Sequence, residues 1–111
     1  MKIAIIDIGW LSIDLDHIHG NKALGGSETW LVQISKEFAK FADVDVYMHS
    51  TRPIITYTIN DNKLNYFPES IFFNTNKKYD FIILNRFFKK DGLNYIEYIK
   101  SNNLSNHIYI Q

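Results

Sequence analysis

The chain has 111 residues, a formal net charge of zero, 46% apolar residues and 22% charged residues. These values predict one globular domain with a core of its own. Zero net charge argues against a broad nucleic-acid-binding or anionic-membrane surface, because both depend on a basic excess. The absence of cysteine excludes disulfides and thiolate metal sites. The first apolar run is too short for a signal peptide or a membrane span. We therefore expect a cytoplasmic protein, which could also act at the inner face of the membrane.

The first third of the chain predicts a strand, a long loop and a helix. The apolar run Ile3–Ile8 fits a strand that is covered on both faces of a parallel sheet. A loop of about seventeen residues follows, Gly9–Gly25, and loops of that length are often functional. Ser27 suits the N-cap of the helix that comes next, with Glu28 in its first turn. The buried face of this helix is predicted from apolar residues at i, i+3, i+7 and i+10, which are Leu31, Ile34, Phe38 and Phe41.

The middle of the chain predicts mainly strands. Val44–Met48 is the second predicted strand, joined to the first by the helix in a right-handed crossover. Ile55–Ile59 alternates apolar residues with threonine, which is typical of a strand with one wetter face. Asn60-Asp61-Asn62 predicts a turn into a return strand at Leu64–Phe67. Ser70–Asn76 fits either a short helix or a loop.

The last third of the chain predicts a strand, a helix and a strand. Tyr79–Leu84 is apolar enough to lie in the centre of the sheet. Asp91 can cap the helix that follows, and Asn102-Asn103 ends it. His107–Ile110 is the last predicted strand. The inward-facing residues of the helix are predicted to be Leu93, Ile96 and Ile99.

Strands that alternate with helices predict an α/β fold, an open and mostly parallel Rossmann-like sheet with helices on both faces. We expect Ile3–Ile8, Val44–Met48 and Phe81–Leu84 to be its interior strands, all parallel. Ligands of such sheets bind at the carboxyl ends of the strands. That edge should carry the long loop and the residues that directly follow each strand.

The residues around the glycine pair resemble a known family. A first strand, a long loop, the pattern Gly-Gly-x-Glu at residues 25–28 and an amphipathic helix follow one another, and a strand Asp-Val-Asp-Val-Tyr comes next. Two later strands have the sequences Tyr-Asp-Phe-Ile-Ile-Leu and Ile-Tyr-Ile-Gln. This order, over nearly the whole chain, resembles the N-terminal Rossmann-like domain of GT-B glycosyltransferases, especially glycosyltransferase family 4.

The resemblance implies that residues 1–111 are a single domain, the acceptor-side half of an enzyme. Such an enzyme transfers a sugar from a nucleotide-sugar to a glycan, a lipid or a cell-surface polysaccharide precursor. In that family a C-terminal Rossmann domain, absent here, chiefly holds the donor, so we expect the chain alone to be inactive. The nucleotide-sugar is a substrate, and we expect no metal, no cofactor, no nucleic acid and no transmembrane segment. The chain stops before the His-Asp or His-Glu pair of many members, so catalytic residues stay unassigned.

The resemblance also indicates which residues form the cleft. The glycine loop should face the donor phosphates, and Glu28 suits loop ordering or a sugar hydroxyl better than a phosphate, which it would repel. On a plainer interpretation the two glycines only form a turn before a helix. His49 fits an exposed loop histidine better than a cleft residue, and Arg86 is equally an ion-pair partner of Asp80 or Asp7. The donor-phosphate candidates are Gly25, Gly26, Ser27 and Glu28, and the acceptor-side candidates are Trp10, His49, Asn85 and Arg86.

Other functions were weighed against particular residues. Gly9-Trp10-Leu11 lacks the Gly-x-Gly-x-x-Gly of dinucleotide-binding domains, and the chain lacks the Gly-Lys-Ser/Thr of a P-loop. A receiver-like regulatory domain is the first alternative, with Asp7 as one acid of its pocket. A standalone Rossmann-like interaction module is the second. Four polar residues of the long loop form a cluster that we interpret as solvated rather than metal-binding, namely Asp14, Asp16, His17 and His19.

Overall fold

The structure, a computed structural model, describes residues 1–7, 26–48, 55–85 and 89–111. Six strands and three helical segments lie within these ranges. In chain order they are β1 (Lys2–Asp7), α1 (Gly26–Phe38), β2 (Asp43–Met48), β3 (Ile55–Ile59), β4 (Asn62–Pro68), a 3-10 helix (Glu69–Asn74), β5 (Phe81–Asn85), α2 (Lys89–Ser101) and β6 (Ile108–Ile110).

The strands form one mixed sheet in the order β3-β4-β2-β1-β5-β6. Every neighbouring pair is parallel except β3 and β4, which form an antiparallel hairpin at one edge. Asn60 and Asp61 make the hairpin turn with φ angles of 49° and 68°, a region that asparagine and aspartate tolerate. The sheet is therefore α/β-like and mostly parallel, and the prediction that β1, β2 and β5 are parallel interior strands is confirmed.

Side chains alternate between the two faces of the sheet and form two cores. On the α1 face, Ile3 and Ile5 of β1 pack with Leu31 and Val32 of α1. On the opposite face, here called the α2 face, the neighbouring residues of β1 pack with the 3-10 helix and α2. That second core contains Ala4, Ile6, Phe72, Tyr95 and Ile99. Apolar residues of β1 are buried on both sides, which explains why its sequence is a continuous apolar run.

Two residues predicted to face the core are exposed instead. Phe41 is 58% exposed because α1 ends at Phe38, so the residues beyond it leave the helical pattern. Leu93 is 50% exposed, and Tyr95 of the same helix is 5% exposed and takes the inner position. Apolar periodicity identified the helices correctly, but it did not identify which apolar residue of each helix lies against the sheet.

Both predicted helix caps also need correction. Helix α1 begins at Gly26, one residue before Ser27, so Ser27 belongs to its first turn and is not its N-cap. Helix α2 begins at Lys89, which places Asp91 inside the helix. Each prediction put the helix start at a side chain that suits capping, whereas each helix extends further toward its N-terminus.

None of the helices in the described ranges has the length and apolar composition that crossing a bilayer requires.

Candidate functional site

The sheet contains one point at which the direction of the chain reverses. From β1 the chain moves to β2 on one side, and from β5 it moves to β6 on the other side. Helices α1 and α2, which make these two connections, pack on opposite faces. Ligands of open parallel sheets bind outside the carboxyl ends of the strands at such a reversal. The carboxyl ends of β1 and β5 therefore form the candidate site.

Two buried polar residues mark these strand ends. Asp7 is the last residue of β1 and lies in register with Asn85, the last residue of β5. Asp7 is 1% exposed and Asn85 is 4% exposed. The Asn85 Nδ2 atom donates a hydrogen bond to Asp7 Oδ2 at 3.4 Å. A polar side chain that is buried at the end of a strand needs a hydrogen-bond partner. Here Asp7 and Asn85 provide a partner for each other.

The first helix starts at the same edge of the sheet. Helix α1 has 13 residues and is therefore about 20 Å long, close to the length of a six-residue strand. Because the backbone N–H of Asp43, which opens β2, bonds to the Met1 carbonyl at 3.0 Å, the amino ends of β1 and β2 lie side by side. The chain thus returns along α1 from the carboxyl edge to the amino edge. Gly26 accordingly begins the helix at the level of Asp7 and Asn85.

The geometry assembles three chemical features at one edge. The N-terminus of a helix such as α1 carries a partial positive charge and backbone N–H groups that have no partner within the helix, which suit an oxyanion. Asp7 and Asn85 lie on the α1 face, because they continue the alternation of Ile3, Ile5 and Ile83. Both side chains are almost fully buried and bonded to each other, so they fix the two strand ends beneath this edge.

Most of the other predicted site residues lie outside the described residues. Trp10, Gly25, His49 and Arg86 belong to the ranges 8–25, 49–54 and 86–88. Gly26, Ser27 and Glu28 are in the first turn of α1, where the backbone is described. Of the acceptor-side candidates, Asn85 alone has a described position. The four residues of the polar loop cluster, Asp14, Asp16, His17 and His19, also fall in residues 8–25.

A second group of polar residues lies at the opposite, amino-terminal edge of the sheet. Asp45 of β2 is 7% exposed and lies on the α2 face. Its Oδ1 atom accepts a hydrogen bond from Asn65 Nδ2 at 2.8 Å, and its Oδ2 atom accepts one from the Tyr79 hydroxyl at 2.6 Å. Lys77 Nζ lies 3.2 Å from the same oxygen. The group, here called the Asp45 network, joins β2, β4 and the segment before β5.

Two tyrosines extend the Asp45 network into the core. The hydroxyl groups of Tyr47 and Tyr79 lie 2.7 Å apart. Because the single hydroxyl proton of Tyr79 goes to Asp45, the Tyr47 hydroxyl donates to Tyr79. Burial, followed by the bonds to Asp45 and Tyr47, raises the pKa of Tyr79 far above its ordinary value. Burial also raises the pKa of Tyr47. Both phenols therefore stay protonated over the physiological range and act as fixed donors.

A small polar cavity of about 150 Å³ opens beside the Asp45 network. Its walls combine carboxylates and ammonium groups, including Asp43, Asp45, Lys2, Lys63 and Lys77. The carboxylates already accept hydrogen bonds from protein donors: Asp43 from the Lys63 backbone N–H at 2.8 Å, and Asp45 from three side chains. These contacts give the network a structural role, since they fix the segment before β5 to the sheet.

The Asp45 network was missed in the sequence, although one signal was present. In Val44–Met48 the alternation places Asp45 and Tyr47 on the same face of a strand that was predicted to lie in the interior of the sheet, with helices on both faces. A carboxylate in that position must have buried partners. Its partners lie 20 to 34 residues away in sequence, so the pattern indicates their existence and not their identity.

The described residues contain no cluster of three or more His, Cys, Asp or Glu side chains that could hold a metal ion. A receiver-like pocket would add further acids around Asp7, and the neighbouring strand end instead carries the amide of Asn85. No protein-family model, no curated protein and no solved structure matches this chain.

Proposed function

We propose that this chain is the acceptor-side, Rossmann-like domain of a GT-B-type glycosyltransferase. The enzyme would transfer a sugar from a nucleotide-sugar donor to an acceptor hydroxyl on a glycan, a lipid or a polysaccharide precursor. The observation that carries the proposal is the reversal point between β1 and β5, with Asp7 and Asn85 buried at the two strand ends. The family resemblance of residues 25–28 supports a ligand site at the same edge of the sheet, and it does not depend on the strand order.

The N-terminus of α1 would receive the donor's phosphates. Gly26 has no side chain, so a phosphate can approach the backbone N–H groups of the first helical turn. Asp7 and Asn85, which are almost fully buried and bonded to each other, would hold the two strand ends beneath the ligand. Trp10 belongs to the long loop, and His49 and Arg86 directly follow β2 and β5 in the sequence. All three are proposed as acceptor-side contacts. Glu28 would order the loop or bind a sugar hydroxyl.

In the proposed reaction the acceptor oxygen attacks the anomeric carbon of the sugar. The bond from that carbon to the nucleotide's phosphate oxygen breaks, and the nucleoside diphosphate leaves with the electron pair. The acceptor's proton passes to a base that the described residues do not identify. A donor-binding domain would complete the site, so we expect residues 1–111 alone not to transfer sugar.

The substitution Gly26→Val tests the role of the glycine loop in the two-domain enzyme that this proposal implies. The new side chain would occupy the space that a phosphate needs, so transfer should fall by at least about tenfold, which corresponds to about 1.4 kcal/mol. The fold should tolerate the change, because Gly26 is at the helix start. Sugar transfer and melting temperature are measured together.

Gly92→Val is the matched control, since Gly92 lies in the first turn of α2 on the other face of the sheet. It should leave the transfer rate unchanged. Normal transfer by Gly26→Val with a lowered melting temperature would show that the glycine pair is only a turn before a helix.

A further inference from the structure

We draw no further inference here: the strongest candidate, the small polar cavity at the amino edge beside the Asp45 network, carries nothing because it belongs to the structural network already described and its lining of lysine and aspartate side chains singles out no class of ligand.

Discussion

Asp45 and Tyr79 show how single polar residues hold the amino edge of this sheet together. Asp45 is 7% exposed, and its two carboxylate oxygens accept hydrogen bonds from Asn65, Tyr79 and Lys77. No buried side-chain polar atom among the described residues lacks a partner. A fully satisfied network specifies one arrangement of the segment before β5, because a shift of that segment would leave the buried Asp45 carboxylate without hydrogen-bond donors.

Replacing Tyr79 by phenylalanine should lower the free energy of unfolding by about 1–3 kcal/mol. The change removes the 2.6 Å hydrogen bond to Asp45 and leaves the Tyr47 hydroxyl without its acceptor. Urea unfolding followed by circular dichroism measures the effect. Tyr109→Phe makes the same chemical change on a ring that is 53% exposed, and it should leave the stability unchanged. Equal stability of both variants would show that the network is dispensable.

Tyr66 predicts how stability depends on alkaline pH. Its hydroxyl lies 2.7 Å from the Ser35 hydroxyl, which itself donates to the Val32 carbonyl, so the phenol is the donor. Burial raises the pKa of Tyr66 to about 12. The ordinary value is about 10, so the unfolded state releases this proton first as pH rises.

The contribution of Tyr66 is therefore complete below about pH 10 and is lost as pH rises from about 10 to 12, at a cost of roughly 2–3 kcal/mol. Urea unfolding at a series of pH values should show this loss, and Tyr66→Phe should reduce it. A variant that loses stability as steeply as the parent over this range would contradict the assignment.

At the scale of the elements, two substitutions in helix α2 test which of its residues belong to the core. Ile99 is fully buried on the α2 face and Leu93 is 50% exposed, although the sequence predicted both to face inward. Ile99→Ala should cost about 2–5 kcal/mol of stability through lost burial and a cavity. Leu93→Ala should change stability by less than about 0.5 kcal/mol. Comparable losses from the two variants, measured by urea unfolding, would show that α2 is rotated relative to this description.

The elements themselves follow from local sequence, and their partners do not. The apolar runs of β1, β2 and β5 identified interior strands, because strands buried on both faces are mostly apolar on both sides. Phe41 and Leu93 were misplaced because a periodic pattern cannot determine where a helix ends or which apolar residue the sheet covers. Asp45 was not recognised as a network centre because its contacts connect segments far apart in sequence.

In the candidate site, too, one part could be predicted from local sequence and another part depends on long-range contacts. Asn85 was predicted at the carboxyl edge, and it lies there in contact with Asp7. That pairing depends on β5 being placed next to β1, a long-range choice that alternation and apolar content do not specify. Trp10, His49 and Arg86 lie outside the described residues, so their placement at this edge stays a prediction.

The whole molecule combines two faces, two edges and one reversal point. The carboxyl edge gathers strand ends and the start of α1, where the proposed ligand would bind. The amino edge is fixed by the Asp45 network, and β6 is the last strand of the described sheet on the side of β5. The proposed ligand site and the Asp45 network therefore lie at opposite edges of the sheet, so one can be altered without disturbing the other.

Backbone NMR of residues 1–111, titrated with UDP-, GDP- and ADP-sugars, tests the central claim most directly. The account predicts that one of these donors binds weakly, with Kd on the order of 1 mM, because a single domain supplies only part of the contacts. The amides of Gly26 and of the strand ends Asp7 and Asn85 should shift saturably, while those of Asp45 and Tyr79 should not. Saturable shifts centred on the amino edge, or no shift with any donor, would contradict the assignment of the site.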